Sequence, residues 1–496
     1  MASQKPINPP SPFPPRTNPS KLNLKNIQGD ILSGLPKKTE TFYFFQIADI
    51  PHFRRDLRNF IPLIKTVEGV IEDRKKIRDY KRRVHDNPHQ NLPPLIPIVG
   101  VNIAFSHTAF KEIGLNDTNL KDDAFSKGQL KDSEDLKDKG ISKNGKFVPD
   151  WEEAFKEPLH GVIIITGDCH QSVDKTIDQI EGIFHVGSSS PSINKVTSIR
   201  GDARPGDLSA HEHFGYLDGI SNPVVSGFDA DPAPGPLPVR AGTIVLGHEE
   251  DPFQSDREEW MVDGSFLVFR YLFQKVPEFD SFVERSATRL VRPGLNKKQA
   301  ADLLGARLVG RWKSGAPVDI TPFQDDEELA VDPERNNDFH FSAETNVQKL
   351  CPFASHVRRT MPRADLDETT LEKNRIMRRG IQFGPEVTKL EKVTKTTMHG
   401  RGLLFACYQS SITNGFRFIQ TLWSNNPNFP PFEKAPETPG LDPLIGQGPP
   451  ELRKMSGFHP DKPTEELVFD DLWVVPRGGE YFFSPSIKGL KEFIAI

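Results

Sequence analysis

Three short segments of this sequence hold side chains able to act on a substrate. Gly215-Tyr-Leu-Asp218-Gly219-Ile-Ser-Asn-Pro223 sets one carboxylate between two glycines. Read alone, such a segment is a turn. Cys351-Pro-Phe-Ala-Ser-His356-Val-Arg358 places a single histidine after an apolar stretch and beside a cation. A histidine there can ligate a metal or move a proton, although a lone histidine more often serves the structure. Ile376-Met-Arg378-Arg379-Gly380 carries two guanidinium groups, charged at every working pH. Taken singly, none of the three specifies a reaction.

Other templates fail. Gly140-Ile-Ser-Lys-Asn-Gly145-Lys146 approaches a phosphate-binding loop, but Phe147 stands where the magnesium-binding hydroxyl belongs, so an exposed loop is expected. His211-Glu212-His213 could offer two imidazoles from one face of a strand. No third ligand recurs at a telling spacing, and no metal is assigned there. Cys169, Cys351 and Cys407 form neither a disulfide framework nor a C-x-x-C knuckle.

The chain that must position these groups has 496 residues, 36% hydrophobic and 26% charged. At about 150 residues per domain that suggests roughly three domains or two large ones. Sixty-three basic against 68 acidic residues give a net charge of -5, which argues against a dedicated nucleic-acid binder. No apolar run approaches the roughly 20 residues needed to span a bilayer. A soluble globular protein is expected. The first 21 residues are rich in proline and read as an extended or disordered arm. They lack the apolar core of a secretory signal, so localisation stays open between export and cytoplasm.

Hydrophobic periodicity predicts strands at 41–47, 96–105, 161–166 and 196–201, with helices at 52–70 and 172–184. A Pro- and Gly-rich stretch, 232–242, reads as a linker. A comparable order then resumes: a strand at 264–273, a helical insert from 277 to about 310, a strand at 402–408, a helix at 412–424, and closing strands at 472–475 and 481–484. The expected organisation is an arm (1–21), a first α+β unit (22–240) carrying the Asp218 segment, and a second (241–496) carrying His356 and Arg378.

In this order, the three segments closely resemble the dye-decolorizing peroxidases, haem enzymes marked by G-x-x-D-G, and their fungal branch above all. The likeness runs from Asn26-Ile-Gln-Gly-Asp30 through Gly402-Leu-Leu-Phe-Ala-Cys-Tyr-Gln409 to Gly440-Leu-Asp442-Pro443. It implies two ferredoxin-like domains of the dimeric α+β barrel superfamily, with antiparallel sheets and one haem b between them. It implies that His356 ligates the iron and that Asp442 accepts the other ring N–H, which raises the ligand's basicity. Asp218 would shuttle a proton from peroxide, and Arg378 would stabilise charge on the departing oxygen.

Leu403 and Phe405 alternate on one strand face and would narrow access to peroxide-sized molecules. Arg358 is expected on a haem propionate. Trp423 matches a tryptophan through which fungal relatives oxidise bulky dyes at the surface, whereas Phe383 stands where some carry tyrosine. Asp365, Asp367, Glu368 and Glu372 form an acidic loop, expected to be merely solvated. The implied reaction reduces hydrogen peroxide and oxidises phenols, dyes and similar small aromatic donors, without nucleic acid or membrane, in a monomer or weak oligomer. The rival reading is a haem-binding or transport protein without chemistry, which would need neither Asp218 nor Arg378.

Overall fold

The computed structural model of the chain describes residues 22–86, 95–229, 232–291, 293–342, 347–430 and 438–496. The proline-rich arm lies outside the described residues. Nine strands form one antiparallel sheet: β1 (Thr39–Ile47), β2 (Val99–Phe105), β3 (Gly161–Gly167), β4 (Ile193–Asp202), β5 (Ser265–Gln274), β6 (Met377–Arg378), β7 (Ile381–Phe383), β8 (Gly402–Gln409) and β9 (Val474–Ser484). Their order is β4-β1-β3-β2-β9-β5-β8-β6, with β7 also on β8. Each half repeats one plan. A strand, a helix, two antiparallel strands, a helix and a last strand return beside the first, which is the ferredoxin-like order. A single pairing, Phe483 with Phe105, joins the halves. At the far ends, a side chain on Gly201 would meet Ile381 Cγ2 at 2.4 Å and Gln382 O at 2.6 Å, so β4 packs against β7 and the sheet curls toward a barrel.

Strand β1 shows why this sequence makes two layers. Alternation sends Phe42 and Phe44 to one face and Tyr43, Phe45 and Ile47 to the other. The first pair packs on Phe269 of β5, with ring centres 4.7 and 5.0 Å apart. The second set packs under helix α1 (Ile50–Phe60) through Phe53, Leu57 and Phe60. Each buried phenylalanine contributes about 1.5–3 kcal/mol.

Several boundaries differ from expectation. The helix expected at 52–70 stops at Phe60, because Pro62 lacks the amide donor and crowds the preceding turn. Helix α2 (Val67–Asp86) then starts afresh. The last expected helix is a short turn at Phe416–Phe418 followed by a π-helix, Ile419–Ser424. The two expected closing strands are one strand, β9, bulged between Pro476 and Gly479, where proline cannot donate to the ladder. Gly140–Lys143 and Lys146–Pro149 pair as a hairpin through Asn144-Gly145, both at positive φ. The near-miss phosphate loop is therefore a tight turn. The acidic loop is not simply solvated: Asp365 and Glu372 are buried and paired with Arg358 and Arg240.

Candidate active site

Asp218, His356 and Arg378, one from each of the three segments, line one cavity of about 1900 Å³, open solvent included. Its walls come from residues between Glu212 and Pro476. The first half contributes through the loop after β4, and β5, β8 and β9 supply the floor.

That loop is shaped by Glu212, which sequence reading passed over as part of a possible metal cluster. Its half-buried carboxylate accepts from Phe214 N (2.9 Å), Tyr216 N (2.8 Å) and Gln274 Nε2 on β5 (2.6 Å). The two glycines flanking Asp218 adopt φ of +94° and +79°, which a side chain would strain. Together they present Asp218 to the cavity. Its Oδ1 accepts from Arg378 Nη1 at 2.6 Å and from Gly219 N at 2.6 Å. Asn222 fixes Arg378 in turn, accepting from its N–H (3.0 Å) and donating to its carbonyl (3.4 Å). Burial alone would raise the Asp218 carboxyl, but the Arg378 charge and these hydrogen bonds hold it below the usual aspartate range.

The same cavity is lined by His356, first residue of a short helix, His356–Thr360. Its Nδ1 lies 2.9 Å from Asp442 Oδ2. Asp442 is 1% exposed, and its Oδ1 accepts from Leu444 N (2.8 Å) and Ile445 N (3.0 Å). Desolvation would favour neutral imidazole, yet the Asp442 charge raises the His356 pKa above its ordinary value. Among the described residues, Nε2 has no protein partner. Buried Arg359 ties this helix to the Asp442 loop, donating to Trp423 O (3.1 Å), Asn426 O (2.8 Å) and Gly440 O. Gly440 has φ +98°, and a Cβ there would lie 1.9 Å from Lys454 O. Gly440→Ala is therefore expected to lower stability by more than about 1 kcal/mol, read from the urea midpoint at unchanged m.

Leu403 and Phe405, on one face of β8, both line the cavity. Two of these residues sit elsewhere than expected. Arg358 does not line the cavity. Its guanidinium makes two 2.6 Å bonds to Asp365 and one of 2.5 Å to Cys351 O, between the rings of Phe353 and Phe341. A neighbouring carboxylate had already taken it. The cations that do line the cavity include Arg311, Arg363 and Arg375. Burial and the charge of Arg378 push Arg311 down to about 10. Trp423 is not at the surface. It is 4% exposed, stacked on Phe429 at 5.3 Å and edge-on to Phe418 at 5.5 Å. The π-helix turns its indole inward, against Ile419 of the cavity wall. Phe383 is buried, its ring 4.8 Å from Tyr271. Tyr216, not singled out from sequence, is the one tyrosine or tryptophan among the described residues that lines the cavity.

The donor set suits an iron porphyrin. Among the described residues one imidazole nitrogen has no protein partner, the walls are mostly apolar as a macrocycle requires, and arginines, themselves bonded to protein groups, line the same walls. With an acid–guanidinium pair in the same cavity as the histidine, fold and site together define a haem peroxidase. Comparison with known proteins agrees. Residues 26–205 match the family model for the DyP dimeric alpha+beta barrel domain, and residues 214–432 that for the Dyp-type peroxidase C-terminal domain. A dye-decolorizing peroxidase of Mycetinis scorodonius is 40% identical over 96% of this chain and 88% of its own length. One from Auricularia auricula-judae is 40% identical over 97% of this chain and 89% of its own. The structure of a mutant of the Pleurotus ostreatus enzyme superposes with a TM-score of 0.91 at 50% identity, covering 96% of this chain and all of the other. The chain belongs to the dye-decolorizing peroxidase family, haem-dependent oxidoreductases that act on hydrogen peroxide.

Proposed function

We propose that the chain holds one haem b through His356 Nε2, with the propionates toward Arg311 and its neighbours rather than Arg358. The haem, when bound, supplies the iron at which peroxide is reduced. The reading rests on one observation: Asp218, Arg378 and His356, from three separate segments, line one cavity, with Asp218 bonded to Arg378 and Asp442 bonded to His356 from behind. Asp442 keeps the Nδ1 proton and so leaves Nε2 as the lone-pair nitrogen. Asp218 takes a proton from one peroxide oxygen and returns it to the other, and Arg378 stabilises the oxygen that leaves. Leu403 and Phe405 narrow the space above them. Phenols such as 2,6-dimethoxyphenol, bound in a structure of a relative, are proposed donors alongside dyes. The protein is proposed to act as a monomer or weak oligomer, apart from nucleic acid and membrane.

The test is to purify the holoprotein, add one equivalent of peroxide, and follow the Soret band. A rapid spectral change, returned to the resting spectrum by a phenol, is expected. A holoprotein indifferent to peroxide defeats the proposal.

Two further results are expected. Because Asp218 titrates below the ordinary aspartate value of about 3.8, its base form persists as pH falls. Peroxide reduction should therefore hold from neutrality down to pH 4 and fail only below it; a histidine base would fail near its usual pKa of about 6.5. Stopped-flow rates across that range decide. Trp423 is proposed to pass electrons within its ring cluster rather than to touch a dye. Trp423→Phe should lower turnover of a bulky anthraquinone dye several-fold while sparing small phenols, in steady-state assays of both donors.

A further inference from the structure

Asp218 and Arg378 stand 160 positions apart in the chain, and their 2.6 Å contact depends on what holds the two backbones in register. Strand β6, which carries Arg378, is two residues long and ends the sheet. On its inner side Arg378 stands opposite Cys407 of β8, and Arg379 N donates to Ala406 O at 2.7 Å. In an antiparallel ladder, pairs that exchange hydrogen bonds alternate with pairs that do not. Because Arg379 bonds to β8, the N–H and C=O of Arg378 point the other way, off the open edge.

Asn222 meets both groups. Its Oδ1 accepts from Arg378 N at 3.0 Å, and its Nδ2 donates to Arg378 O at 3.4 Å, the weaker of the two. A carboxamide offers the donor and acceptor of a peptide unit, so this one side chain takes the place of a further strand. Asn222 follows Asp218 by four residues on the same loop, and Pro223 after it restricts its backbone to extended conformations. Five residues before Asp218, buried His213 donates from Nε2 to Phe383 O of β7 at 2.8 Å. The loop is thus fastened on either side of Asp218, and Asn222 is the fastening that grips the residue bearing the guanidinium.

We propose that Asn222 is a positioning residue for peroxide reduction, its carboxamide setting the separation of Asp218 and Arg378 by closing the edge of β6. The proposal rests on the reading of those two side chains as proton shuttle and charge-stabilising cation. Without the carboxamide, Arg378 N–H loses its protein acceptor. Among the described residues, no other group of the Asp218 loop then holds the Arg378 backbone. Arg379 still donates from Nη1 to Arg378 O at 3.2 Å and from Nε to Asp30 O at 2.7 Å, so the segment is loosened rather than lost. A strand of two residues, freed on one side, lets the guanidinium retreat from Asp218.

The test is Asn222→Ala, alone and combined with Arg378→Leu, in the full-length holoprotein. The single variant should keep its Soret band yet react with peroxide roughly 10–10²-fold more slowly, since misplacing a reacting group by about 1 Å costs up to that much. Asp218 feels the charges of Arg378, His356 and Glu212, and Asn222 holds the first of these alone, so the acid limb of the rate profile should move to higher pH. In the Arg378→Leu background the same substitution should cost less than about twofold, because nothing is left to position. Crystal structures of parent and variant should show the Asp218 Oδ1–Arg378 Nη1 contact lengthened from 2.6 Å. Asn222→Ser, too short to reach both backbone groups, gives the same reading if the alanine variant does not fold. Equal losses in the two backgrounds with an unmoved limb would assign Asn222 to loop stability and overturn the proposal, as would an unchanged contact in the crystal. The parent's own reaction with peroxide is measured alongside. If the parent ignores peroxide, the peroxidase reading falls, and the crystal comparison still decides whether Asn222 sets the contact.

Discussion

Asp218→Ala should slow the reaction with peroxide by about 10²–10⁴-fold while the Soret band persists, the range lost with a positioned proton-transfer group. Arg378→Leu should cost about 10²–10³-fold, as when a charge-stabilising donor is removed. The two effects should not add, because each residue sets the other's state across their 2.6 Å contact. The Arg378 variant makes a further demand. Burial raises the Asp218 carboxyl and Arg378 is the principal force opposing it. Without the guanidinium the carboxyl pKa must rise, so the acid limb of the rate profile should move to higher pH. In the parent, the base form is complete above the lowered pKa and is lost only below it. Stopped-flow traces of both single variants and the double variant, from pH 3 to 8, measure rate and limb together. An Arg378→Leu limb that stays put or moves lower would break the proposed coupling.

Asp442→Asn should be nearly as damaging, by a different route. The carboxylate now accepts from Leu444 N and Ile445 N through one oxygen and faces the His356 Nδ1 with the other. Asparagine can keep its carbonyl toward the two backbone donors, which turns its amide N–H toward Nδ1. That nitrogen must then accept, the ring proton moves to Nε2, and Nε2 loses the lone pair a metal needs. A loss of roughly 10–100-fold in haem affinity is expected, with an altered Soret position in what remains bound. Asp442→Ala adds a second injury, leaving two buried N–H groups without an acceptor at about 1–3 kcal/mol each. Thermal unfolding of the apoproteins separates the two variants: alanine should lower Tm more than asparagine. Equal haem retention by the asparagine variant and the parent would show that Asp442 does not set the tautomer.

How far the primary structure reached depended on the range of the interaction concerned. Alternation in TFYFFQI and GLLFACY gave strands close to β1 and β8, because a side chain's face is decided by its own position in the pleat. Two α+β units of similar plan were likewise legible from the succession of elements, but that the plan is ferredoxin-like came from the family resemblance. Proline set other limits: Pro62 ended a helix that periodicity alone carried to residue 70, and Pro476 sat inside a strand that looked like two.

Asp218, Arg378, His356 and Asp442 were marked by the order of several segments and the family that order resembles, since each segment alone reads as a turn, a structural histidine or a solvated surface. Arg358 and Trp423 were misplaced for a reason of packing. Whether a guanidinium meets a ligand or a neighbouring carboxylate, and whether an indole faces solvent or a phenylalanine, is decided by what packs beside it. Asp365 and Phe429 hold those places here. Glu212, Arg311 and Tyr216 escaped notice likewise, because their importance lies in partners and walls brought together only by folding. Sequence by itself determined the strands, the turn glycines and the types of group available for chemistry. The tertiary structure decided which of those groups share a cavity, because proximity between residues more than a hundred positions apart is a property of packing and not of pattern.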